Sequence, residues 1–185
     1  LNRDKILKSK NSKSLAITYK DLEYLSSSEF KKVFTGKKVI YIYHNVIDAR
    51  GDNASTEREV FEACEEAFVE LKQLVNNLVN RLNAVNIYIT SDHGFLYTDK
   101  PLTESDKVDK TTLGDQDIEV GRRYLITRKG ADPQSLLPVK FMDDNYDAFT
   151  PRESIRIKKR GSSSNYVHGG ISLQEMVVPL IEYHY

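Results

Sequence analysis

A chain of 185 residues is long enough for one ordinary domain with a core of useful size. Its 27 lysines and arginines balance 27 aspartates and glutamates, so no net field draws it to nucleic acid or to an acidic membrane, and only a local basic patch is left open. The single cysteine, Cys64, excludes an internal disulfide, and with no apolar run of membrane-spanning length and no signal segment the expected location is the cytoplasm.

The chain opens on Leu1 rather than methionine, and residues 2–14 are rich in lysine and serine with almost nothing to bury. This predicts a cut inside a longer protein, a trimmed start being the alternative. Ser14 to Lys20 alternates loosely, as a strand does, and Ser28 to Phe34 reads as a short helix before Gly36. The β-branched and aromatic run from Lys37 to Tyr43 predicts a largely buried strand. The segment from His44 to Ser55 has loop composition, with Asp48, Gly51, Asp52 and Asn53.

A long helix follows. Thr56 and Glu59 have capping-box spacing, and Glu57 adds negative charge to the first turn. Apolar residues then recur with helical period from Val60 to Leu82, a stripe broad enough to lie on a sheet. Asn86 to Thr90 is a short strand that ends in Ser91-Asp92-His93-Gly94. Strand, helix and strand form a βαβ unit whose crossover predicts parallel strands, so both acidic loops leave the carboxyl edge where open α/β sheets bind ligands. The expected fold is therefore α/β, a mostly parallel sheet flanked by helices.

Further on, Tyr97 to Glu119 is a polar excursion, and Arg123 to Arg128 and Ser154 to Lys159 are candidate strands. Gly161 to Asn165 reads as a flexible loop that delivers Tyr166-Val167-His168-Gly169-Gly170. Ser172 and Glu175 are spaced as a capping box on a helix reaching Met176, and Val177 to Tyr185 closes as a strand with Pro179 at an edge or bulge.

The chemistry-bearing residues fall in three places. Asp92 and His93 sit at a strand end, beside a glycine that permits a turn bringing both toward one site; carboxylate and imidazole together suit zinc or manganese. Asp48 and Asp52, four apart around Arg50-Gly51, can wrap one cation, although Asp52 also stands where it can cap the next helix. His168 precedes two glycines that allow close approach of a ligand, and is otherwise a surface histidine. His44, at a strand end, reads as packed or hydrogen-bonded rather than ligating, and Cys64 as core. Arg122, Arg123, Arg152, Lys158, Lys159 and Arg160 supply charge for an anionic group or a solvated face. No phosphate-binding glycine loop and no serine nucleophile elbow is present.

Three stretches in this order, Tyr43 to Asp52, Thr90 to Phe95 and Val167 to Pro179, resemble the PglZ domain of BREX-type bacterial phage-defence systems. That domain is similar to the alkaline phosphatase superfamily. The resemblance runs from about Lys37 to the end, so residues 1–36 are expected to be an N-terminal remnant and residues 37–185 the C-terminal, metal-binding half of an alkaline-phosphatase-like domain.

The superfamily uses two divalent metal ions and a serine or threonine nucleophile. The resemblance implies that Asp48 takes the aspartate of the first metal's Asp-x-x-x-His motif and His168 its late histidine, while Asp92 and His93 take the Asp-His pair of the second metal. Asp52 stands where the superfamily has histidine, and the extra oxygen donor favours manganese or magnesium over zinc. The early aspartate and the nucleophile have no match and are expected upstream, so no catalytic residue is assigned and the fragment alone is expected to be inactive. The parent would be a metal-dependent phosphatase or phosphodiesterase with an anionic phosphoester substrate and other phage-defence proteins as partners. A non-catalytic assembly module is the alternative. Nucleic-acid binding through the basic strand from Ile155 to Arg160 is a weaker third reading, and no membrane partner is expected.

Overall fold

The structure is a computed structural model and describes residues 2–100, 102–109, 117–140, 143–159 and 165–185. In chain order the first elements are α1 (Arg3–Lys10), β1 (Ser14–Thr18), α2 (Tyr19–Glu23), α3 (Ser27–Phe34), β2 (Val39–Tyr43) and α4 (Val46–Gly51). A 3-10 turn (Glu57–Glu59) leads into α5 (Val60–Leu82), β3 (Asn86–Thr90) and β4 (Leu96–Tyr97). The short strands β5 (Lys107–Val108), β6 (Asp117–Val120), β7 (Leu125–Arg128), β8 (Leu137–Val139) and β9 (Tyr146–Thr150) come next. Last are β10 (Arg156–Ile157), β11 (Tyr166–Val167), α6 (Leu173–Met176) and β12 (Leu180–His184). The chain divides into two compact units. One comprises Leu1–Ala49, Phe61–Tyr88 and Glu182–Tyr185, the other Arg50–Val60 and Ile89–Ile181.

In the first unit, β1 and β2 pair in parallel from Ser14 opposite Val39 to Thr18 opposite Tyr43. The crossover between them carries α2 and α3, each started by a formed capping box: Thr18 with Asp21, and Ser26 with Glu29. Phe30 and Phe34, one turn apart on α3, bury together with Leu22, Leu74 and Leu78, and Ile17, Ile40, Ile42 and Ile87 pack around them. The carboxyl end of α5 closes on a residue in the left-handed conformation, as in the αL cap. Asn83, at φ 52°, donates to the Val79 carbonyl, and Ala84 donates to that of Leu78. His44 is packed as its position predicts, with its ring tilted on Tyr19 and Nε2 against the Glu70 carboxylate.

The second unit holds a four-stranded antiparallel sheet ordered β6-β7-β9-β8, whose core is Leu125, Leu136, Phe149 and Ile157. Two smaller pairings flank it, β10 with β5 in parallel and β11 with β4 antiparallel.

The α/β class therefore holds, but the mostly parallel sheet does not: the described strands form several small sheets, and most of the strand pairings are antiparallel. The βαβ unit that exists joins β1 to β2, whereas β3 pairs with β12. The crossover rule fixes strand direction within one sheet and does not choose the neighbour. Strand β2 is partly exposed rather than largely buried. The loop expected from His44 to Ser55 contains the short helix α4, and Thr56 makes no cap because its hydroxyl donates to the Arg50 carbonyl at 2.9 Å. The α5 stripe is only partly buried: Phe61 and Phe68 stay 54% and 61% exposed, and Cys64 is half-buried rather than core. Of the expected loop at 161–165 only Asn165 lies among the described residues, and residues 110–116 of the polar excursion lie outside them. No helix among the described residues is long and apolar enough to cross a membrane.

Candidate metal centre

Four of the five residues singled out as ligands, Asp52, Asp92, His93 and His168, belong to the second unit. Strand β3 ends at Thr90, whose hydroxyl donates to the Pro179 carbonyl at 2.8 Å. The chain then turns through Ser91 and Asp92 to His93. Gly94 makes the turn possible. Its N–H donates to the Glu175 carbonyl at 2.9 Å, and a Cβ at this position would stand 2.1 Å from the Gln174 carbonyl oxygen. Only a residue without a side chain lets the backbone come this close.

The His93 ring is oriented by its own backbone, with Nδ1 3.0 Å from the Gly94 carbonyl oxygen. A carbonyl only accepts, so Nδ1 carries the proton in that bond, and in the neutral ring Nε2 is then the nitrogen with the lone pair that a cation needs. His168 leaves the buried strand β11, and its ring lies flat on that of His93, with centroids 4.1 Å apart and planes 6° from parallel. A ring nitrogen of each histidine comes within 4.8 Å of one on the other.

Asp52 stands next to this pair, with Oδ1 3.5 Å from Nε2 of His168. Its loop is held by Gly51, which faces the Tyr166 ring so closely that a Cβ would lie 2.6 Å from ring carbons. Tyr166 also packs on Phe95, at 4.8 Å between centroids, and sets its ring edge-on to His168. Asp48 is partly buried on α4 and precedes Asp52 by four residues, about one helical turn. Asp92 is the outlier of the set. Its side chain is 85% exposed, and its Oδ1 stands 3.9 Å from Nε2 of His93.

The basic residues divide sharply. Arg122 is half-buried, and burial lowers its pKa while the nearby Glu57 and Asp52 carboxylates pull it back up. It thus stands as a cation beside the Asp52 group. Arg123, grouped with it in the sequence as a holder of anions, is instead fully buried against Glu175, with Nε to Oε1 and Nη2 to Oε2 both 3.0 Å. Arg156 is buried as well, and desolvation together with Arg122 and Arg123 pushes its pKa down to about 10. Its Nε and Nη1 find no partner among the described residues. Lys158 is bound to Glu104 and Asp109, Arg152 and Lys159 are exposed, and Arg160 lies outside the described residues. Among the described residues from Ile155 to Lys159, Lys159 is the one exposed basic residue.

Two carboxylates that the sequence suggested only as helix-start residues are buried beside the histidines. Glu57 accepts from the Asn165 and Tyr166 N–H groups at 2.7 and 3.2 Å. Burial would push the Glu175 carboxyl up, but the Arg123 guanidinium and the Ser172 hydroxyl outweigh it and hold the group below the usual range.

Comparison with known proteins places this chain in a class, that of the alkaline phosphatase-like domains. The family model described as "BREX system PglZ alkaline phosphatase-like domain" matches residues 1–183. The chain belongs to the PglZ family, and the resemblance read from Lys37 onward extends back through the opening residues. It is 44% identical to the alkaline phosphatase-like protein PglZ of Bacillus cereus (strain H3081.97), an alignment covering 98% of this chain and 22% of that protein. It is 38% identical to the alkaline phosphatase-like protein BrxZ of Escherichia coli O9:H4 (strain HS), covering 98% of this chain and 21% of that one. The chain thus spans about a fifth of the length of these curated relatives.

Proposed function

We propose that this chain supplies the Asp and His ligands of a divalent-metal centre in a phosphoester hydrolase, and that the nucleophile comes from another part of a longer protein. The observation that carries the reading is the stacked pair His93 and His168 with the Asp52 carboxylate 3.5 Å from the second ring. Stacked imidazoles beside carboxylate oxygens fit zinc or manganese, and the carboxylates of Asp52 and Asp92 add affinity for harder ions. The tautomer held by the Gly94 carbonyl presents Nε2 of His93 as a donor.

A bound divalent ion would polarise a phosphoryl oxygen and stabilise the charge that develops during displacement. The chain's own contribution is positional: His93 and His168 hold the donors on short loops, and Arg122 adds a positive charge beside Asp52 suited to an anionic substrate. Other components of a BREX phage-defence system are the expected partners.

The test is elemental analysis and calorimetric titration of the purified chain with zinc and manganese. The reading expects about one ion or more per chain and a loss of uptake in His168→Ala and Asp92→Ala. A folded chain that takes up neither metal would contradict it. The assembly-module reading is favoured by one observation, the apolar surface left open at Phe61, Phe68 and Val69 on α5. It predicts partner binding that Asp92→Ala leaves unchanged.

A further inference from the structure

We infer that Glu57 and Glu175 are positioning residues, two buried carboxylates that grip the His168 loop from either side and so set the geometry of the histidine pair. The chemistry this serves rests on the metal reading above. The grip itself rests on hydrogen bonds.

Upstream of His168, one oxygen of Glu57 takes both consecutive N–H groups of Asn165 and Tyr166. Downstream, Glu175 takes the Gly170 N–H at 2.9 Å, the Ser172 N–H at 3.3 Å and the Ser172 hydroxyl at 2.7 Å. His168 is thus suspended between two fixed points, Tyr166 and Gly170, each two residues away along the chain. Glu175 reaches the other ring as well, because its backbone carbonyl accepts the Gly94 N–H next to His93. One residue therefore ties both histidine loops together.

Buried charge on this scale is costly unless it is paired and fully bonded. Glu175 is balanced by the two-pronged Arg123 contact, and Arg123 in turn donates through Nη1 to the Ile155 carbonyl. An ordinary helix cap needs a side-chain acceptor and one N–H. Glu175 does far more than cap α6, since its second oxygen reaches back past the helix to Gly170. Groups that orient ligands without touching the ion commonly tune metal affinity by about 10- to 100-fold.

The test compares Glu175→Gln and Glu57→Gln with the parent chain by zinc calorimetry and by ring signals of 15N-histidine. Zinc affinity is expected to fall about 10- to 100-fold in both variants. In the metal-free chain, Glu175→Gln is expected to shift the signals of His93 and His168, and Glu57→Gln that of His168. Leu125→Ala, which weakens the core without touching either carboxylate, is expected to leave the affinity of the folded chain unchanged. Unmoved ring signals and unchanged affinity in both glutamine variants would overturn the inference, as would equal losses in the Leu125→Ala control. Should the parent take up no zinc, the metal reading fails while the ring signals still decide the positioning. Should Glu175→Gln not fold, Glu57→Gln decides alone.

Discussion

Replacing Gly94 by alanine places a methyl group 2.1 Å from the Gln174 carbonyl oxygen and 3.2 Å from its carbon. Ordinary carbon–oxygen contacts are no closer than about 3.3 Å, so the two backbones have to separate by about 1 Å. Both obstacles are main chain, and no change of rotamer relieves them. The Gly94 N–H bond to the Glu175 carbonyl is 2.9 Å long, and a retreat of that size takes it out of hydrogen-bonding range. Overpacking costs about 1–3 kcal/mol, and the lost bond adds about 1 kcal/mol. The variant is therefore expected to be about 2–4 kcal/mol less stable in urea denaturation, with the His93 ring signal displaced. A Gly94→Ala chain within about 0.5 kcal/mol of the parent would refute the close approach on which the turn at His93 depends.

Other consequences are as definite. Leu125→Ala, at a fully buried site among Leu136, Phe149 and Ile157, should cost about 2–5 kcal/mol in the same assay. Glu153 sits at φ 45°, a region that disfavours a side chain, so Glu153→Gly should raise stability by about 0.5–1 kcal/mol once the more flexible unfolded chain is counted. The Glu175 carboxyl is held below its usual range, which makes its folded value lower than its unfolded value near about 4.3. Its contribution is then complete above the unfolded value and is lost as pH falls through the folded one. Urea midpoints of the parent should decline over that acid range, and the decline should be shallower in Glu175→Gln. The purified chain should not turn over a generic phosphodiester with any added divalent metal, as measured by nitrophenol release.

Local signals were legible where the energy is local. Phe30 and Phe34 share a helix face, Ser172 and Glu175 form the capping box their spacing implies, and β3 ends at Thr90, just before Ser91 and Asp92. Pairing was not legible, because β-branched residues state that β2 is a strand and not that its neighbour is β1. Thr56 and Glu59 have the right spacing for a cap, yet the hydroxyl is claimed by the Arg50 carbonyl, a contact set by the path of α4. The candidate ligands Asp52, His93 and His168 stand out in the sequence as residue types beside glycines. The supporting Glu57, Arg123 and Glu175 do not, since an acidic residue in a first helical turn and an arginine in a charged stretch read as surface. Burial turned them into a framework, and burial of a charge is decided by a partner far away in sequence, here 52 residues for Arg123 and Glu175.

X-ray absorption at the zinc edge of the zinc-loaded chain addresses the centre most directly. The account predicts two imidazole nitrogens and carboxylate oxygens at about 2.0–2.2 Å, with one imidazole lost in His93→Ala and one in His168→Ala. A shell of oxygens alone, or one that neither substitution alters, would contradict it.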